Sequence, residues 1–126
     1  MAMGTNNLNL ISYSPSSCVG VGLRSPHLKE FTSKKQQIGW LEVHPENYLG
    51  HGIERDLLKE VSNHYPISFH GVSLSLGSLS RVSEIHLQKL KELTNDINPF
   101  MFSEHASWSI SGNAHLNDLL PLPYNK

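Results

Sequence analysis

A single cysteine, Cys18, excludes an internal disulfide and with it the stapled secreted folds that depend on several. That scarcity fits a reducing compartment. Cys18 opens an apolar segment and reads as a small buried hydrophobe. An excess of charge is also missing: 10 Lys and Arg against 11 Asp and Glu leave a net −1. Nothing in that balance draws nucleic acid or an anionic membrane, and Lys34-Lys35 is too small for a basic patch. No stretch approaches the ~18 consecutive apolar residues of a membrane span. The amino terminus has no basic head followed by an apolar run, so no signal peptide is read, and the expected location is the cytoplasm. What remains is one domain of 126 residues, long enough to bury a core.

Histidine, by contrast, is plentiful, and its placement is informative. The stretch Trp40-Leu41-Glu42-Val43-His44-Pro45-Glu46-Asn47-Tyr48 is an apolar run that turns dense in metal-capable groups and is then stopped by proline. Buried parallel strands read as short apolar runs, and functional groups of strand-helix barrels sit where such strands end. Glu42 and His44 are two apart and share a strand face. The pattern recurs at Ile67-Ser68-Phe69-His70, before Gly71, and at Phe100-Met101-Phe102-Ser103, which runs into Glu104-His105. Strand ends that each offer His or Glu point to one shared site. Mixed imidazole and carboxylate donors suit iron, zinc or manganese better than calcium or magnesium.

The order along the chain supports this. Residues 1–17 are polar and read as a loose lead-in. Strands are expected at 18–23, 38–44, 67–74 and 100–103. The helices between them start at Ser25-Pro26, as N-cap and first-turn proline, at Ile53 with Pro66 closing, and at Ser83 running to Thr94. Leu90, Leu93 and Ile97 form the apolar stripe of the last helix. Strands alternating with helices argue an α/β fold with a parallel sheet and right-handed crossovers. About four β/α units make half of a TIM-type (β/α)8 barrel, which typically takes ~250 residues, so the expected domain, 18–126, reads as cut short.

The strings Gly20-Val21-Gly22-Leu23-Arg24, Trp40 to Tyr48, His70-Gly71-Val72-Ser73-Leu74-Ser75-Leu76-Gly77, Ser103-Glu104-His105 and His115 to Tyr124 occur in this order. Together they resemble the DUF692 (UPF0276) family of multinuclear non-haem iron-dependent oxidative enzymes, relatives of those that build methanobactin and 3-thiaglutamate. The resemblance spans Cys18 to Lys126. It implies a barrel like that of xylose isomerase, with two or three iron ions at its C-terminal mouth and O2 as co-substrate. It also implies a small cysteine-containing precursor peptide as substrate and a second protein that presents it. Family members are roughly twice this length, on the scale of a full barrel. Ligands from a second half are therefore expected to be absent.

On this reading the metal ligands are His44, His70 and Glu104, with His105 the alternative to Glu104. Strict alternation from Phe100 and Phe102 favours His105. The resemblance favours Glu104, a carboxylate able to bridge two irons, if a bulge resets the parity. Glu42 reads as a buried hydrogen-bonding partner of His44, and Glu46 and Asn47 as mouth-loop residues near metal or substrate. His51 and His64 read as surface residues, and Asn117 and Asp118 fit either the site or a turn cap. Three functions follow: the iron enzyme, an inactive half barrel that must pair with itself or a complementary half, and, ranked low, a sugar isomerase of the xylose-isomerase type.

Overall fold

The computed structural model describes residues 18–79, 81–112 and 114–124. The expected polar lead-in, 1–17, lies outside them. Four parallel strands, β1 (Gly20–Gly22), β2 (Trp40–Val43), β3 (Ile67–Gly71) and β4 (Met101–Glu104), lie side by side in chain order. Helices α1 (Leu28–Ser33), α2 (Ile53–Ser62) and α3 (Glu84–Ile97) fill the intervals between them. Sequential parallel strands joined through helices are the first half of a TIM-type (β/α) barrel.

Alternation divides the sheet into two faces. Leu41, Val43, Ile67 and Phe69 point one way and join Leu28, Leu58, Val61, Leu93 and Ile97 of the helices in a single buried core. Glu42, Ser68 and His70 alternate with them and occupy the opposite face, which in a closed barrel is the interior. On that face Trp40 meets Phe100 edge-on, with ring centroids 5.8 Å apart. The Trp40 indole also lies against Gly20, opposite it in the ladder, where any Cβ would collide with the ring.

Several expectations need correction. Cys18 is exposed rather than buried, because the first strand begins only at Gly20. Ser25 does not cap α1; the N-cap position is His27, and a single 3-10 turn, Ser25–His27, leads into the helix. Ser83 does cap α3, accepting from His86 N–H, and the helix runs past Thr94 to Ile97, where Asn98 closes it in the left-handed conformation. Ser68 is fully buried on the interior face, flanked in register by the larger Glu42 and Met101. The segment after β4 holds further strands, beyond the four expected. It folds into an antiparallel hairpin of β5 (Ser107–Ser111) and β6 (Ala114–Pro121). The hairpin is tied to the loop after β3, with Gly77 N–H donating to Ser107 C=O and Ser109 N–H to Ser75 Oγ.

Candidate metal centre

The C-terminal ends of β2, β3 and β4 meet at one edge of the sheet, and the chemistry collects there. His44 follows β2 in extended conformation, so its side chain keeps the face of Glu42. Its Nδ1 lies 2.9 Å from the His70 carbonyl oxygen, which can only accept, so Nδ1 carries the proton and Nε2 is left with its lone pair. The bond expected from Glu42 is made by this carbonyl instead. The His70 ring sits 5.8 Å from that of His44 and 4.6 Å from that of His105. His70 Nδ1 is 2.8 Å from Ser103 Oγ, and the Nε2 atoms of His70 and His105 are 2.9 Å apart. That separation suits a hydrogen bond between imidazoles. It also suits neighbouring ligands of one ion, since bonds of about 2.1 Å at a right angle put two nitrogens about 3.0 Å apart.

The carboxylates lie on the other side of the β3 end. The ladder runs unbroken through the pair Gly71 and Glu104, with no bulge. Glu104 therefore takes the side to which a Gly71 Cβ would point, and Ser103 and His105 take the side of His70. With no side chain at Gly71, the Glu104 carboxylate lies directly over its Cα; a Cβ there would stand 3.1 Å from Glu104 Cδ and 3.4 Å from Glu46 Oε1. Glu46 reaches in from the turn Pro45–Tyr48, its Oε1 accepting from Val72 N–H at 2.8 Å and Ser73 N–H at 3.1 Å. Glu104 Oε1 accepts from His105 N–H at 3.0 Å. Burial pushes the Glu104 carboxyl above the ordinary carboxylate range, the His105 amide opposes this, and the neighbouring charge of Glu46 adds to it.

Among the described residues, no three His, Cys, Asp or Glu side chains are gathered closely enough to hold one ion. The donor chemistry nevertheless fits a metal. Glu46 Oε2 and Glu104 Oε2 are both buried with no hydrogen-bond partner among the described residues, a costly arrangement for oxygens that carry charge. His44 Nε2, with its lone pair free, and the paired imidazoles of His70 and His105 stand on the other side of the β3 end. Such a nitrogen and oxygen set is that of iron, zinc or manganese.

The remaining candidates are placed elsewhere. Asn47 is exposed and opens onto a cleft of about 460 Å³ between its own turn and the start of α2, which none of the candidate ligands lines. His51 and His64 are exposed, as expected. Asp118 lies within β6 and accepts from the N–H of the next residue, Leu119. The Asn117 side chain lies outside the described residues. Sequence reasoning missed Ser103 as a partner of His70; its position two residues from His105, on the same strand face, was the available signal.

Residues 18–126 match the profile of a family described as RiPP precursor modification enzyme MbnB/TglH/ChrH. A UPF0276 protein of Vibrio parahaemolyticus is 50% identical over 109 residues, which cover 86% of this chain and 38% of that protein. One from Psychromonas ingrahamii is 45% identical over the same shares of both chains. One from Chromobacterium violaceum is 41% identical over 112 residues, 89% of this chain and 40% of that protein. The chain thus spans about two fifths of the length of these relatives. Among the described residues no helix is long and apolar enough to cross a membrane. A match across the whole sheet, the strand-end motifs and the hairpin carries one conclusion: the chain belongs to the MbnB/TglH/ChrH family of RiPP precursor modification enzymes.

Proposed function

We propose that the strand-end cluster is part of a multinuclear non-haem iron centre that serves oxidative modification of cysteine in a ribosomally made precursor peptide. The observation that carries this reading is the contact of the His70 and His105 Nε2 atoms, 2.9 Å apart, at the same strand ends as two buried carboxylate oxygens without partners. His44, His70 and Glu104 would hold iron, with His105 as the further imidazole. Bound iron supplies the redox chemistry with O2 that no side chain here can supply. This chain's residues hold and orient the donors. The His70 carbonyl fixes His44 with Nε2 as its donor atom, and the Val72 and Ser73 amides hold Glu46 by one oxygen, leaving the other free. Glu46 lies at the strand-end mouth, where a small cysteine-containing peptide, offered by a presenting protein, would enter; Asn47 opens onto the separate cleft, and Glu42 sits opposite Ser68 within the sheet. The family match supports a peptide substrate and the mixed donor set supports iron. Anaerobic ferrous titration of the wild type and of the double variant His44→Ala, His70→Ala tests the assignment. The double variant is expected to lose bound iron, and equal iron in both proteins overturns it.

A second reading concerns the 126-residue chain on its own. Four strands provide only half the positions of a closed barrel mouth, so donors that preorganise the centre from the other side must come from elsewhere. The isolated chain is then expected to turn over very weakly or not at all. Robust oxygen uptake by the purified chain with a cysteine peptide would overturn this.

A further inference from the structure

We propose that Ser103 is a positioning residue that holds His70 with its proton on Nδ1, leaving Nε2 as the metal-donating nitrogen; this rests on the metal reading above. The ladder places Ser103 directly opposite His70, on the same face of the sheet. Its Oγ stands 2.8 Å from His70 Nδ1 and 3.4 Å from the Phe69 carbonyl oxygen. A carbonyl can only accept, so the arrangement that satisfies every group has the Ser103 hydroxyl donating to Phe69 and accepting from His70 Nδ1–H. The reverse assignment leaves the Phe69 contact unfilled. It also moves the imidazole proton to Nε2, where it would block the nitrogen that faces His105. His44 reaches the same state by another device, a backbone carbonyl that accepts from its Nδ1–H. Neighbouring strand ends thus present their histidines through the same nitrogen, one oriented by a main-chain oxygen and one by a serine hydroxyl.

The test uses Zn2+ alone as probe, with the wild-type chain, Ser103→Ala, Ser103→Thr and His70→Ala. Calorimetry gives the affinity, and imidazole nitrogen NMR of the zinc-loaded proteins reports which His70 nitrogen carries the proton and how fast it exchanges. Wild type and Ser103→Thr, which keeps a hydroxyl, are expected to show a protonated, exchange-protected Nδ1. Ser103→Ala is expected to lose that protection and to bind zinc roughly 10–100-fold more weakly. Weaker binding with the Nδ1 proton still protected in Ser103→Ala would make Ser103 a packing residue and overturn the proposal. So would affinity within about twofold of wild type. Unchanged zinc affinity in His70→Ala would overturn the metal reading itself, whereas loss there without loss in Ser103→Ala removes only the role of Ser103. Far-UV circular dichroism of each variant keeps a folding defect from passing as a ligand effect.

Discussion

At the scale of single residues, Gly71 separates the imidazoles of the strand ends from the carboxylates. The Glu104 carboxylate occupies the space a side chain at Gly71 would need. Gly71 is not among the positive-φ glycines, so its backbone can accept alanine and the effect of Gly71→Ala falls on Glu104. The variant is expected to fold with unchanged circular dichroism and to bind ferrous iron roughly tenfold or more weakly. Undiminished affinity would mean that Glu104 is not a ligand. Much of this geometry is legible in the sequence, because His44 and His70 end apolar strands and a regular strand fixes their common face. What the sequence leaves open is the side taken by Glu104. That depends on whether β4 stays regular to its last residue, which is a property of its ladder with β3 and not of the residues themselves. Ser103 is hidden for the same reason: its partner stands across the ladder rather than nearby in the chain.

At the scale of elements, α2 and α3 are joined by a charged pair within their packed contact. Arg55 is buried, and its Nε and Nη2 both donate to Asp96 Oδ2, at 3.1 and 2.6 Å. Hydrogen bonds from Arg55 hold the Asp96 carboxyl below its ordinary range, against a smaller opposing effect of burial, and Lys59 adds to the lowering. A carboxyl lowered in the folded state contributes stability that is fully present above its unfolded value of ~3.9 and is lost as pH falls through the folded value. Asp96→Asn should therefore unfold at lower urea than wild type at neutral pH, and the two midpoints should converge as pH drops below ~3.9. A gap that stays constant down to acid pH would remove Asp96 ionisation as its cause. The helices α2 and α3 are readable from the sequence, whereas the Ser83 cap of α3 shows only in the structure. The hairpin is the element the sequence reading missed. Its signal is present in Ser107-Trp108-Ser109-Ile110-Ser111, a strict alternation followed by Gly112, which has φ 58°. Alternation before a glycine turn is a hairpin pattern. The barrel rhythm hides it, because a strand in a strand-helix alternation is expected to lead to a helix rather than to another strand.

At the scale of the molecule, the β4 side of the sheet is open on both faces. Among the described residues β4 pairs only with β3, so its outer backbone groups have no ladder. Met101, on the face of His70, is 43% exposed, and Phe102, on the helix face beside Phe69, is 41% exposed. In a closed barrel the next strand would cover that edge, interior side chains would cover Met101, and the next helix would cover Phe102. Fully burying one such side chain is worth roughly 1.5–3 kcal/mol, and a domain has only ~5–15 kcal/mol in all, so partial exposure of several is a strong pull toward association. A symmetric pair can meet it, because a two-fold axis beside β4 sets the same edge of each copy against the other and covers Met101 and Phe102 in both. A complementary half barrel would serve the same surfaces. The 126-residue chain alone should therefore sediment as a dimer or larger species at micromolar concentration. Met101→Lys together with Phe102→Lys should shift it toward monomer, since a charge at each position makes the covered contact costly. A wild-type chain that stays monomeric and unfolds cooperatively would show that the open side is stable in water and that this surface needs no partner.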